Sequence, residues 1–291
     1  MRIEMKQVRM ERLNSIETAR TLAEALPYLQ RYDKSIVIIK LGGHAMTNKI
    51  AMTNFARDVV LMKQCNVNPI VVHGGGPMIS TFLKKMNIES KFIKGKRVTS
   101  EEAITAVEMV LTGNINKSIV SAINRQGGKA VGLSGKDANL MICEPDDPEL
   151  GFVGIPKTID PSILRNFLES DFIPIIAPVG MGLDGRTYNV NADDVAGAIA
   201  GVMNADRLLL LTDVSGIQDK DGKLLTNLST TEVKNLISEG TIVKGMIPKA
   251  DTAIRALSDG VKAVVIMDGR APNACLLELF TDHGAGTLVR N

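Results

Sequence analysis

Short apolar runs that do not alternate with polar residues constrain this chain more than any other feature. They occur at Ile36–Ile39, Ile70–Val72, Phe172–Val179, Leu208–Leu211 and Lys262–Met267. A strand apolar on consecutive positions is buried on both faces, which is the condition of a parallel sheet covered by helices above and below. Stretches of helical period stand between them. Met52, Phe55, Val59 and Met62 form one such stripe, Ile79, Phe82, Leu83 and Met86 a second, and Ala250, Ala253, Ile254 and Leu257 a third. The alternation predicts an α/β chain, a three-layer αβα sandwich around a mainly parallel open sheet. Its functional loops are expected at the carboxyl ends of the strands.

Two of these runs end alike. Ile36-Val-Ile-Ile runs into Lys40-Leu-Gly42-Gly43, and Ile70-Val-Val runs into His73-Gly74-Gly75-Gly76-Pro77, where the proline suits the first turn of a helix. Each glycine mouth alone reads equally as a strand-to-helix turn or as a phosphate cradle. Two side by side, with Lys40 at the lip of the first, favour an anion site.

Composition removes several classes of function. A net charge of +2 gives no basic field for nucleic acid, and 3% aromatic residues leave few stacking platforms. No apolar run approaches the roughly 20 residues of a membrane helix, so neither nucleic acid nor a membrane is expected as a partner. Cys65, Cys143 and Cys275 are far apart, and His44, His73 and His283 equally so, which predicts reduced thiols, no bound metal and a cytoplasmic setting. Residues 1–13 lack the apolar core of an export signal.

In chain order, residues 1–33 read as an N-terminal arm with a helix over 14–30, whose stripe of Ile16, Ala19, Ala23 and Leu26 packs on its own subunit or docks on a neighbour. Phe92 to Thr99, with Lys94, Lys96 and Arg97, predicts a short hairpin. A helix follows over 101–124, capped near Thr99 or Ser100, with Gly113-Asn114 as a possible break. The Pro- and Gly-rich stretch from Cys143 to Asp160 reads as loops or an edge hairpin, and Gly180 to Tyr188 as a hairpin turn. Asn189-Val-Asn191-Ala-Asp193-Asp194 opens a buried helix. Thr212-Asp213-Val-Ser215-Gly216 follows the strand from Leu208, and Lys244-Gly-Met-Ile-Pro-Lys249 leads into another helix.

The chain has no P-loop, no Gly-x-Gly-x-x-Gly turn and no Gly-x-Ser-x-Gly elbow. Two lysines in special contexts, Lys40 and Lys249, together with Asp193 and many loop N–H donors, suit phosphoryl transfer. There, cations and donors stabilise spread charge and the protein does little covalent chemistry. Taken together, Lys40-Leu-Gly-Gly43, His73-Gly-Gly-Gly-Pro77, Gly95-Lys-Arg97-Val-Thr99, Gly132-Leu-Ser-Gly-Lys-Asp137, Asn189-Val-Asn-Ala-Asp193, Thr212-Asp-Val-Ser-Gly216 and Gly245-Met-Ile-Pro-Lys249 resemble the amino-acid kinase family across residues 34–291.

The resemblance implies the amino-acid kinase fold, with an acceptor lobe over about 34–204 and a nucleotide lobe over about 205–291. It implies transfer of the γ-phosphoryl group of ATP, with Mg2+, to the side-chain carboxylate of N-acetyl-L-glutamate in arginine biosynthesis. Lys40 and Lys249 would stabilise the phosphoryl group, held by Asp193, and the N–H groups of Gly42, Gly43 and Gly75 would meet its oxygens. Gly75 and Gly76 would flank the acceptor, Arg97 would grip its α-carboxylate, and Asn189 and Asn191 would hold its acetamido side. Thr212, Asp213 and Ser215 would face the nucleotide. In arginine-inhibited members an arm like this one interlaces dimers into a hexamer, and a segment like Glu278–Gly284 contributes to the inhibitor site, although Asn273 stands where a histidine is expected. Each residue also has a plainer reading: a surface ion pair for Arg97, a helix-start carboxylate for Asp193, a turn for Asn189 and Asn191. A kinase for another carboxylate, or an amino-acid sensor on the same fold, are the competing functions.

Overall fold

The computed structural model describes residues 15–43, 46, 48–93 and 95–291. The expected features at 1–14, His44 and Lys94 lie outside the described residues. The strands in chain order are β1 (Ile36–Leu41), β2 (Asn68–His73), β3 (Phe92–Ile93), β4 (Lys96–Arg97), β5 (Ala130–Ser134), β6 (Met141–Pro145), β7 (Val153–Ile159), β8 (Ile173–Ala177), β9 (Val179–Gly182), β10 (Thr187–Val190), β11 (Arg207–Thr212), β12 (Asn227–Ser229), β13 (Val264–Asp268) and β14 (Gly286–Arg290). After the arm, the α-helices are α1 (Lys49–Gln64), α2 (Gly76–Lys85), α3 (Glu101–Glu108), α4 (Asn116–Arg125), α5 (Ser162–Glu169), α6 (Ala192–Val202), α7 (Thr230–Ser238), α8 (Ile247–Ser258) and α9 (Ala274–Phe280).

Eight strands form one sheet in the order β12-β14-β13-β11-β1-β2-β8-β5. Every pairing in it is parallel except that of β13 with β14. Side chains alternate faces along each strand, so the sheet carries two cores. Val37, Ile39, Leu41 and Val71 meet Phe55 and Val59 of α1, Ile119 and Ile123 of α4 and Leu279 of α9 on one face. Ile38, Ile70, Val72 and Leu208 meet Val195 and Ile199 of α6 and Ala253 and Leu257 of α8 on the other. The three predicted layers are present, and β1 stands where the strand order turns back, the place at which open α/β sheets form a crevice.

Residues 143–160, expected as loops or an edge hairpin, form the hairpin. They supply most of β6 and all of β7, an antiparallel pair, which closes with β9 and β10 into a separate four-stranded unit that was not expected. The Pro and Gly content fits this role, because a small closed unit turns sharply and needs close backbone approach. A Cβ on Gly154 would lie 2.8 Å from Tyr188 Cβ. The expected helix over 101–124 is continuous but irregular: Met109–Ile115 is a π-helical segment between α3 and α4, so Gly113 widens the coil without ending it. The arm is helical over 15–24 and Leu26–Arg31, with Ile16, Leu22 and Leu26 exposed.

Candidate active site

The two glycine mouths are in contact. Gly74 N–H donates to the Leu41 carbonyl at 2.9 Å, and a Cβ on Gly43 would sit 2.8 Å from Pro77 Cδ. A cavity of about 490 Å3 opens beside them, lined by Lys40, Gly43, Gly75, Gly76, Arg97, Asn189, Asn191, Asp193 and Lys249 among others. A second, of about 210 Å3, is lined by Lys40, Gly42, Gly43, Leu211, Thr212, Asp213 and Lys249. Lys40, Gly43 and Lys249 belong to both, so the two lysines stand where the cavities meet.

Lys40 reaches this junction from the end of β1, and its Nζ lies 2.9 Å from Asp193 Oδ1, each side chain 12% exposed. Asp193 occupies the first turn of α6. That turn is held by Asn191, the helix N-cap, whose Oδ1 accepts from Asp193 N–H at 2.8 Å. The carboxylate thus sits in the first turn of a helix, at its positive end, and faces an ammonium group. Asp193 was expected to hold both lysines, but among the described ion pairs it meets Lys40 alone. Lys249, in the first turn of α8, points Nζ at the Gly245 carbonyl at 3.4 Å.

At the other end of the larger cavity, Arg97 is 6% exposed. Its guanidinium donates to Ser90 Oγ, to the Gly76 carbonyl at 2.9 Å and to Ser80 Oγ at 2.8 Å, and it lies 4.6 Å from the centre of the Phe92 ring. All of these partners are neutral, and burial lowers its pKa. A desolvated cation without a carboxylate among the described residues is a receptor for an anion. Asn189, which also lines the cavity, donates from Nδ2 to Thr99 Oγ1 at 3.2 Å.

On the smaller cavity, Thr212 donates to Asp213 Oδ1 at 3.1 Å, and Arg270 anchors the loop by donating to the Asp213 carbonyl at 2.7 Å while paired with Asp268 at 2.8 Å. Ser215 lines neither cavity; its Oγ accepts from Gln218 at 3.4 Å. Glu278 and Gly284 lie apart from both. There Glu278 Oε2 accepts from Ala285 N–H at 2.8 Å, and its burial raises the carboxyl pKa.

Sequence reading missed several residues that position these groups. Ser80 and Ser90 reach Arg97 from elements 17 and 7 residues away and carry no local signal. Phe92 was more accessible: the predicted hairpin pairs it directly with Arg97 across β3 and β4. Lys96, which also lines the cavity, is held by Asp146 of the loop after β6 at 2.5 Å. His73 lies buried beneath the second mouth and lines neither cavity, so among the described residues no histidine lines either one.

Residues 35–268 match the amino acid kinase family. The chain belongs to that family. Among its relatives, acetylglutamate kinase of Ruegeria pomeroyi is 62% identical over 275 residues, 94% of this chain and 96% of that protein. Acetylglutamate kinase of Paracoccus denitrificans is 58% identical over 288 residues, 99% and 94% respectively. Among solved structures, N-acetylglutamate synthase from Neisseria gonorrhoeae, complexed with coenzyme A and N-acetyl-glutamate, superposes with a TM-score of 0.85 at 23% identity. The match covers 94% of this chain and 63% of the synthase. Carbamate kinase from Giardia lamblia bound to AMP-PNP gives 0.64 at 16% identity, covering 88% and 98%. Both establish the shared fold. Proteins named for different reactions thus share this αβα frame, and the cavity residues must carry the rest of the reading. Among the described residues no helix is long and apolar enough to cross a membrane.

Proposed function

We propose that this chain transfers the γ-phosphoryl group of MgATP to the side-chain carboxylate of N-acetyl-L-glutamate, a step of arginine biosynthesis. The observation that carries the reading is the layout of the joined cavities: a buried guanidinium at one end, two ammonium groups at the junction, and a glycine- and Thr212-lined recess beyond. The name of the relatives at 58 to 62% identity supports the same substrate.

The α-carboxylate of the acceptor meets Arg97, and Asn189 and Asn191 hold the acetamido group. Gly75 and Gly76 border the acceptor side chain. The nucleotide lies over Gly42, Gly43, Thr212 and Asp213, with Ser215 in the following loop. Lys40, oriented by Asp193, and Lys249 stabilise the charge on the transferred group from the two sides of the junction. Magnesium arrives with the nucleotide. A carboxylate is ionised at neutral pH and attacks without a general base. The exposed stripe of Ile16, Leu22 and Leu26 suits an arm that joins subunits into a hexamer, and Glu278 and Gly284 are assigned to a site for inhibition by arginine. The compartment is the cytoplasm.

The test is to incubate the protein with MgATP and N-acetyl derivatives of aspartate, glutamate and aminoadipate, trapping acyl phosphate as hydroxamate. Product with N-acetylglutamate above the other two is expected. Product with another acid alone overturns the acceptor assignment, and none with any acid favours a sensor. Repeating the assay with arginine, alongside light scattering for mass, tests inhibition and assembly.

A further inference from the structure

Among the described residues of the two mouths, His73 is a basic residue that faces neither cavity, and its surroundings assign it a task. The ring is fully buried. Nδ1 lies 2.9 Å from the Gly74 carbonyl oxygen, and Nε2 lies 3.3 Å from Asn116 Nδ2. A carbonyl can only accept, so the proton is on Nδ1 and Nε2 accepts from the amide. Asn116 is fixed in turn: one N–H of its Nδ2 goes to the Ile175 carbonyl at 2.8 Å, and the other is shared between the ring and the Leu133 carbonyl, each at 3.3 Å, tying α4 to β8 and β5.

The Gly74 carbonyl and the Gly75 N–H belong to one planar trans peptide and point in opposite directions. Holding the carbonyl toward a buried ring therefore turns the Gly75 N–H away from it, toward the cavity that Gly75 lines. That N–H has no acceptor among the described residues. Leu111 and Ile115 of the π-helical segment close the loop from the other side: a Cβ on Gly75 would lie 2.7 Å from Leu111 Cδ2 and 2.6 Å from Ile115 Cδ1. Gly74 N–H is already bound to Leu41. The loop is thus pinned at its carbonyl, its amide and its flank, with the Gly75 N–H left as a donor.

The geometry points to His73 as a positioning residue for phosphoryl transfer: through the Gly74 carbonyl it aims the Gly75 N–H at the transferred group. The task rests on the kinase reading above. It requires a neutral ring, since a proton on Nε2 would face the Asn116 amide donors. Burial, with Lys117 as the neighbouring charge, lowers the ring pKa to about 4, which keeps it neutral at working pH.

Two substitutions separate this from a merely structural role. Asparagine carries an amide N–H at the position of Nδ1 and can still bind the Gly74 carbonyl, whereas glutamine places its amide at the position of Nε2 and leaves that carbonyl without a donor. His73→Asn is expected to keep kcat within about threefold and His73→Gln to lose about tenfold or more, with KM for both substrates within about twofold in each. The Gly75 amide resonance is expected to shift in the Gln variant and stay near its wild-type position in the Asn variant. Wild-type imidazole 15N shifts are expected to show the proton on Nδ1 throughout pH 6 to 8. Equal losses in the two variants, no loss in either, an unshifted Gly75 resonance in His73→Gln, or a proton on Nε2 would each overturn the proposal. A wild-type chain inactive on every acid would overturn the kinase reading instead, and the Gly75 resonance would still decide whether His73 aims the loop.

Discussion

The two glycine mouths are near copies in sequence and opposites in chemistry. Each is an apolar strand ending in a basic residue and then glycines, yet Lys40 is delivered to the cavity and paired with a carboxylate, while His73 is sealed beneath it among a carbonyl and an amide. The cause is register. Lys40 pairs with Val72 and Leu41 with His73 across β1 and β2, so the two basic residues stand one position apart and face opposite sides of the sheet. Lys40 points to the layer of α6, where Asp193 begins its helix; His73 points to the layer of α4, where Asn116 begins another. One side supplies a charge partner and leaves an ammonium group at the junction of the two cavities. The other supplies only neutral partners, and the ring becomes a brace.

The largest test of this contrast is Lys40→Ala. Loss of the cavity-facing cation should lower kcat by about 100-fold to 1,000-fold with little change in either KM. Single-turnover kinetics would check it, and a normal kcat would erase the distinction between the mouths. Arg97→Lys should raise acceptor KM about tenfold with kcat nearly kept, because lysine cannot reproduce a bidentate grip; an unchanged KM would remove Arg97 from acceptor binding.

A third test concerns stability. Because the folded-state pKa of His73 is depressed from 6.5 to about 4, the unfolded chain binds a proton in that window and the folded chain resists it. The contribution is present above pH 6.5 and lost as pH falls toward 4, by up to about 3 kcal/mol. Asp58 acts in the opposite sense: burial raises its carboxyl from 3.8 to about 6, so the folded state gains stability as pH falls through that range. Denaturant melts from pH 7 to pH 4 should therefore show His73→Asn losing less stability than wild type, while the Asp58 contribution cancels between them. Equal losses would mean that the ring is not held neutral.

The smallest effect is expected far from both mouths. Leu22→Asp, on the exposed arm, should leave subunit stability within about 0.5 kcal/mol. It should lower the mass seen by light scattering if the arm joins subunits; an unchanged mass would detach the arm from assembly.

Much of this was legible in the chain. Non-alternating apolar runs between helical stripes gave the layers, because burial on both faces leaves no polar positions in a strand. The hairpin over Phe92 to Thr99 and the helix opened by Asn191 followed from local rules of turn and cap. The closure of the 143–160 hairpin with β9 and β10 did not, since a strand in a small closed unit is defined by partners distant in sequence. Nor did the π-helical turn at Met109–Ile115, whose side chains fill the space beside Gly75.

Sequence alone determined that Lys40, Lys249 and Asp193 are charged groups in unusual settings, because a cation at the end of a buried strand or a carboxylate opening a buried helix is visible as a break in pattern, whereas Arg97 was singled out only by the family resemblance. The tertiary structure decided which of them meet. Asp193 pairs with Lys40 and not, among the described ion pairs, with Lys249; Arg97 meets serines and an aromatic ring; and His73, identical in pattern to a catalytic candidate, faces inward. Those outcomes depend on strand register and on which helix covers which face, and both are set by packing between residues remote along the chain.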